Sequence, residues 1–405
     1  MDFKGKRRLK KAVAIVLFFT MTLALCGCAS FDNFVTAFFT ESAETAAETI
    51  KIGVYEPMTG ADSKAAEAEI RGIELAHSQR SSVLGKEVEL VYADNKSDIH
   101  VADEVIQGLI QKSPAVVLGS YGSVYSLAAV SYLEEAQIPA ISVTGSNPIV
   151  TDSNPFYFSM SYADTYEGVV MAKYAYETLG TSAVATLKPT DSDIADAQTS
   201  SFSEKIIQLS GDLTIVKAAE TYTAGAEDFS EQLTAIKESG AEAIFTAAKI
   251  DDAARIMKQA QELGLNVIFL GTSSWDSEQF LKAETAADVR FPAAFDAEGE
   301  NTEATEAFLT AYREKYGADA EPTSAEALGY DAYMLALDAI ERAGTSEDGD
   351  LIRQAVQDTS QLEGASGSIT FDSSGSPIKS VSIMTISDGK IKSAGTVEPK
   401  WSSQQ

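Results

Sequence analysis

The chain has 405 residues and carries 31 basic against 60 acidic side chains, a formal charge of −29. At 45% hydrophobic and 22% charged it has the composition of an ordinary globular protein, long enough for more than one lobe with its own core, which excludes disorder or collagen-like order. So large an acid excess repels phosphate backbones, and no basic patch offsets it, so no nucleic acid is expected among the partners.

The chain opens on Lys4, Lys6, Arg7, Arg8, Lys10 and Lys11, followed by an apolar run over residues 12–25 that ends at Cys26-Gly27-Cys28. A basic start before a short apolar run is the pattern of an export signal, and the run falls short of the ~20 residues that span a bilayer. Leu25-Cys26-Gly27-Cys28 resembles the lipobox of bacterial lipoproteins, which implies a signal peptide over residues 1–27 and acylation of Cys28. A plain secretory signal with two incidental cysteines is the alternative. No other cysteine occurs, so the body has no disulfide. Residues 28–49 read as a polar, acidic tether, in which Phe31, Phe34, Val35, Phe38 and Phe39 recur at helical spacing and could rest on headgroups.

From Ile50 onward short β-branched runs alternate with longer amphipathic stretches, the pattern of parallel α/β layers. Strands are predicted at 51–55, 88–92, 115–118 and 139–142, and a second series at 183–187, 213–216, 243–246 and 266–270, each followed by a helix. Gly180, Gly240 and Gly264 fall where helices should end, and Asp251 or Asp252 where one should begin. Helices are predicted over 302–316 and 325–343. The last stretch differs, with strand-like runs at 368–372, 381–386 and 390–392 divided by Asp372-Ser373-Ser374-Gly375 and Asp388-Gly389, as in antiparallel hairpins. The fold class is α/β, with two doubly wound, Rossmann-like lobes in tandem.

In such sheets ligands bind at the carboxyl ends of the strands, where strand order reverses. Two loops there are small and hydroxyl-rich: Gly119-Ser120-Tyr121-Gly122-Ser123 and Thr144-Gly145-Ser146-Asn147-Pro148. Glycines admit a close ligand, and Ser123 at a helix start offers free N–H groups to a carboxylate. The two loops should face one another, although each could be only a tight turn with a capping serine. Phosphate-loop, dinucleotide, serine-hydrolase and zinc-protease signatures are missing, and His77 and His100 read as surface positions on helices. Asp94, Asn95 and Asp98 lack the Gly and terminal Glu of a calcium loop and read as a strand-to-helix turn with Asp98 near the cap. No metal or cofactor is expected.

Lys51-Ile52-Gly53-Val54, Pro57-Met58-Thr59-Gly60, Gly72-Ile73-Glu74-Leu75-Ala76 and the Gly119–Ser123 loop resemble the start of leucine/isoleucine/valine-binding proteins, the solute receptors of ABC importers. The likeness continues through Ile138-Pro139, Ser146-Asn147-Pro148, Phe158 with Asp164 and Glu167-Gly168, Gly271 with Trp275-Asp276, and Gly329-Tyr330-Asp331. The resemblance implies the type I periplasmic-binding-protein fold, two lobes joined by three crossovers that close on ligand like a hinged clamp. It places residues 50–159 and 291–364 in the first lobe and 160–290 and 365–405 in the second. It also implies a ligand α-carboxylate and ammonium held at Ser123, Thr144 and Ser146, with Tyr121 and Gly122 in the same loop. Here the chain departs from the pattern: Gly271-Thr272-Ser273-Ser274 lacks the acid that many relatives aim at the ammonium, Ile194 follows Asp193 where an aromatic is frequent, Lys249 stands where an aromatic is common, and Ser159 replaces a frequent Arg. Glu56 or Asp193 could face the ammonium instead, or Lys249 could meet a second carboxylate. The implied protein is a monomeric, membrane-anchored, extracytoplasmic receptor, with Ser273 on its closing lobe. It hands an amino acid, of branched-chain type, to an ABC permease and has no enzymatic activity. A sensory receptor, or a receptor for a carboxylate or amide, is the alternative.

Overall fold

The structure, a computed structural model, describes residues 49–152, 154–283, 287–299 and 302–398; the expected signal peptide, Cys28 and almost all of the tether lie outside them. Two sheets organise the chain after Thr49. The first contains β1 (Ile50–Glu56), β2 (Ser82–Val83), β3 (Lys86–Asp94), β4 (Val116–Leu118), β5 (Ala140–Ser142) and β6 (Tyr157–Ser159), in the order β2-β3-β1-β4-β5-β6. The second contains β7 (Val184–Pro189), β8 (Val216–Tyr222), β9 (Ala243–Thr246), β10 (Ile268–Leu270), β11 (Asp288–Ala293), β14 (Val381–Ser387) and β15 (Lys390–Val397). Its order is β15-β14-β11-β10-β9-β7-β8, and a hairpin of β12 (Leu362–Gly364) and β13 (Gly367–Ile369) stands apart.

Apart from β14, which pairs antiparallel with β11 and β15, the inner strands are parallel and largely buried on both faces, so they read as unbroken apolar runs such as Val116-Val117-Leu118 and Ala243-Ile244-Phe245. Each sheet is covered on both sides. One face of the first packs Ile52, Val54 and Val116 on the helices Glu303–Tyr316 and Ser324–Ala343, and the other packs Val91, Val117 and Ala140 on Ile106 and Leu133. In the second sheet Ala185, Ile244 and Phe269 meet Ile256 and Trp275, while Val184, Phe245 and Leu270 meet Met171 and Phe202.

Both lobes draw their helices close by leaving out a side chain. A Cβ on Gly72 would sit 2.1 Å from Glu326 O, and one on Gly329 would sit 2.3 Å from Glu69 O, so helices Ser63–Gln79 and Ser324–Ala343 cross at backbone contact. Gly168 does the same between Asp164–Lys173 and Asp193–Ser210, its Cβ falling 2.2 Å from Gln198 O.

The chain passes between the sheets three times: after β6, after β11, and between Phe371 and β14. The first and third passages are joined side by side, because the Ser159 N–H donates to Gly375 O (3.0 Å) and the Tyr162 hydroxyl donates to Ser380 O (2.7 Å). At the second, the Ala294 and Phe295 N–H groups donate to Ser324 Oγ, and the Ser324 N–H donates to Asp276 Oδ2 (2.9 Å).

Several sequence expectations shift. Phe291 and Ala293 belong to the second core, whereas Ala365, Ile369 and Phe371 pack in the first, so the passages fall near residues 294 and 372 rather than at 290/291 and 364/365. The strand expected at 213–216 is displaced to β8, because Asp212 accepts from the Thr214 N–H and hydroxyl, forming a turn that leaves Leu213 82% exposed. The helix Ile250–Glu262 begins after Lys249 rather than at an Asp cap, and Asp252 instead accepts from the Gly225 N–H and pairs with Arg255. Asp98 does cap its helix, through the His100 N–H.

Gly72→Ala forces a Cβ into backbone and is expected to destabilise the protein by about 1–3 kcal/mol. Urea unfolding should show a lower midpoint with an unchanged slope; an unchanged midpoint means that the helix pair can part without cost.

Candidate functional site

The order of strands turns at β1/β4 in the first sheet and at β7/β9 in the second. The loops that leave these strands, and those that leave their neighbours β5 and β10, carry the residues singled out from the sequence. In the first lobe, β4 runs into Gly119-Ser120-Tyr121-Gly122 and then the helix Ser123–Glu135; Gly122, at φ +80°, occupies the cap position, where a side chain would be strained. β5 runs into the Thr144–Ser146 loop. The Asn147 N–H donates to Ser123 Oγ (3.1 Å), so the two loops meet at Ser123, and the Ser159 hydroxyl holds Gly145 O from behind (2.9 Å). Tyr121, Gly122, Ser123, Thr144 and Ser146 are all half-buried, placing hydroxyl and amide donors on one partly open surface.

In the second lobe, Asp193 starts the helix after β7, Lys249 precedes the helix after β9, and Ser273 starts the short 3-10 turn after β10. Asp193 and Lys249 are exposed, whereas Ser273 is half-buried. Its N–H donates to Glu167 Oε2 (3.2 Å) and its hydroxyl donates to Glu167 Oε1; Gln198 Nε2 supplies a further donor to Oε2 (3.1 Å). One turn earlier on the same helix, Asp164 Oδ1 accepts from the Ser146 hydroxyl (2.6 Å), and the Asp164 N–H donates to Ser146 O (2.9 Å). Asp164 therefore stands where the two lobes meet and Glu167 lies one turn further inside the second lobe, each held by a serine of an expected ligand loop.

Burial pushes both acids upward. Glu167 is raised to about 7, with the Ser273 hydroxyl pulling it back down and Asp164 adding to the rise; Asp164 is raised by burial and lowered by Ser146. The loop at Ser273 lacks an acid of its own and bonds instead to one on the neighbouring helix. The sequence signal was present: Glu167 and Asp164 fall in the first turn of a helix whose start was quoted for its likeness.

Glu56, expected as an alternative partner for an ammonium, ends β1 but is fully buried behind the first loop. Its Oε2 accepts from the Tyr121 N–H (2.7 Å), and its Oε1 lies against Gly119, where a Cβ would come within 2.4 Å. A solute in the cleft cannot touch it without the loop moving. Beside it lies Glu69, also fully buried, which accepts from the Thr144 hydroxyl. Asp94 orders the loop after β1 by accepting from the Met58 and Thr59 N–H groups and the Thr59 hydroxyl. Of the histidines, His100 is exposed, but His77 is half-buried, its Nε2 3.0 Å from Val88 O and its ring edge-on to Tyr333. Among the described residues, no group of three or more His, Cys, Asp or Glu side chains could hold a metal ion.

Hydroxyls, backbone amides and buried acids thus gather on the loops at the carboxyl ends of the strands in two doubly wound lobes. A family model described as Periplasmic binding protein matches residues 49–390, and the chain belongs to that family. It is 30% identical to the leucine-binding protein LivK of Thermotoga maritima, over 86% of this chain and 99% of that one, with a TM-score of 0.78. It is likewise 30% identical to the branched-chain amino acid transporter substrate-binding protein LivJ of Streptococcus pneumoniae, solved with isoleucine, over 87% of this chain and 100% of that one (TM-score 0.77). At 20% identity it shares the fold of an ABC transporter solute-binding protein of R. palustris solved with benzoate, over 87% of this chain and 98% of that one (TM-score 0.74). The chain is thus a substrate-binding protein of the ABC-transporter type and not an enzyme. Among the described residues no helix is long and apolar enough to cross a membrane.

Because Glu167 binds its proton more tightly when folded, from 4.5 up to about 7, folding is favoured below that window and loses stability as pH rises through it, by about 1.4 kcal/mol per unit of pH. Glu167→Gln should flatten that part of the melting-temperature profile; an unaltered profile contradicts the assignment.

Proposed function

We propose that the protein captures a small amino acid, of branched-chain type, and delivers it to an ABC permease. The observation that carries this reading is the meeting of two kinds of group: the half-buried Ser123 helix start and the Thr144–Ser146 loop of the first lobe, and Asp164 of the second, which accepts from the Ser146 hydroxyl and has Glu167 one turn along its helix. The first set suits an α-carboxylate, since helix N-termini and hydroxyls donate to anions. The second suits an ammonium, which is costly to bury without an acceptor. In this arrangement Ser273 positions Glu167, and Asp164 takes the place of the loop acid that relatives carry. Tyr121 and Gly122 shape the first loop, while Asp193 and Lys249 line the rim of the closing lobe.

Titration calorimetry with leucine, isoleucine and valine tests the reading directly, and heat with none of them sinks it. Asp164→Asn is expected to weaken leucine binding about ten- to a hundredfold, because a hydrogen bond to a charged group is worth ~1.5–3 kcal/mol. Ser123→Ala should weaken binding while the protein stays folded, and full affinity in that variant counts against the site.

The exposed cation Lys249 favours a second reading, an acid without an ammonium, as in the R. palustris protein solved with benzoate. Benzoate heat that survives Asp164→Asn selects it. The lipobox-like Leu25-Cys26-Gly27-Cys28 supports anchoring through Cys28 on the extracytoplasmic face, tested by loss of labelled palmitate from a Cys28→Ser chain.

A further inference from the structure

Among the described residues, Glu56 and Glu69 are the acids with no exposed surface at all, and each holds a different loop: Glu56 the amide of Tyr121, Glu69 the hydroxyl of Thr144. One oxygen of each, Glu56 Oε1 and Glu69 Oε2, is buried and accepts from no donor group of another residue. The two side chains face one another. Two carboxylates in contact in a dry interior cannot both ionise at modest cost, and a proton between the orphaned oxygens satisfies both.

We propose that Glu56 and Glu69 share one proton and act as a single positioning unit beneath the cleft, tying the Tyr121 loop to the Thr144 loop, so that loss of the proton loosens both. The consequence for capture rests on the solute-binding reading of these loops; the shared proton does not.

The surroundings leave no other source of compensation. From β1 the neighbour is Tyr55, from the loop after β4 Tyr121, and from β6 Tyr157, all neutral phenols whose own titration burial pushes upward, with Glu56 adding to the rise in each and Glu69 in the last two; Tyr121 is pushed up to about 12. Asp62 adds a further negative charge near Tyr121. From the loop after β5 comes only Thr144. Arg71, two residues beyond Glu69, pairs with Glu326 and Glu67, and among the described residues no salt bridge reaches either acid. Burial raises Glu69 to about 7; burial, then the charge of Glu69, raises Glu56 well beyond the usual carboxylate range. The proton is shared between them, and the pair titrates as a unit. Gly119 gives this geometry its room, since a side chain there would collide with Glu56 Oε1.

The test uses the full chain and two readouts. The first needs no solute: melting temperature from about pH 5 to pH 9 for the wild type, Glu69→Gln and Glu56→Gln. A carboxamide supplies the shared N–H without a titrating proton, so both variants should fold and show a smaller fall in melting temperature with rising pH than the wild type. Glu167 and Asp276 titrate in the same range, so the difference between variant and wild type is what counts. Profiles parallel to wild type in both variants, or failure of both to fold at pH 6, overturn the proposal. The second readout is L-leucine affinity, expected to fall about tenfold between roughly pH 6.5 and pH 8.5 in the wild type and to stay level in Glu69→Gln. An equal fall in both overturns the coupling to capture. Leucine that never binds the wild type refutes the amino-acid reading instead, and the melting profiles then decide on the shared proton alone.

Discussion

The loops at the strand ends are held by carboxylates buried among hydroxyl and amide donors rather than among cations. Glu56 with Tyr121 and Glu69 with Thr144 act inside the first lobe and Glu167 with Ser273 inside the second, whereas Asp164 with Ser146 and Asp276 with Ser324 join the two lobes. Hydrogen bonds to an ionised or partly ionised acid are shorter and stronger than neutral ones, and a serine or an amide brings no second charge that would itself need solvation. Such contacts can therefore be broken and remade without stranding a buried cation. This suits a receptor built of two lobes, and it places several of the 60 acidic side chains inside rather than on the surface.

These bonds reach their partners because the scaffold brings strand ends together. Each sheet turns its strand order at one point, and a glycine-mediated helix crossing lies close by: Gly72 against Glu326 beside Glu69, and Gly168 against Gln198 beside Glu167. The acid that grips a loop and the glycine that fixes its helix are one turn apart or adjacent in both lobes. Position and charge are thus set by the same short stretch of helix.

Much of this was legible in the amino-acid order. Buried parallel strands announce themselves as β-branched runs, and helices such as Glu303–Tyr316 and Ser324–Ala343 match their periodicity nearly to the residue. β8 escaped because it lies at the sheet edge, where Val216-Lys217-Ala218-Ala219-Glu220 alternates between half-buried and exposed and so lacks a long apolar run. Glu69 left a trace that periodicity could have caught, an acid in the stripe of Ala66, Ile73 and Ala76 that faces the core. Glu167 left less, because its partner Ser273 lies more than a hundred residues away and is identified by contact alone. Glu56 was found at the right strand end, but its direction was not, since a strand's last side chain can face the cleft or the layer beneath it.

The three passages between the sheets have a topological consequence. Because the chain leaves and re-enters each half more than once, near residues 160, 294 and 372, no single cut can separate them. A protease that nicks one passage leaves two covalent tethers and the cross-links at Gly375 and Ser380 in place.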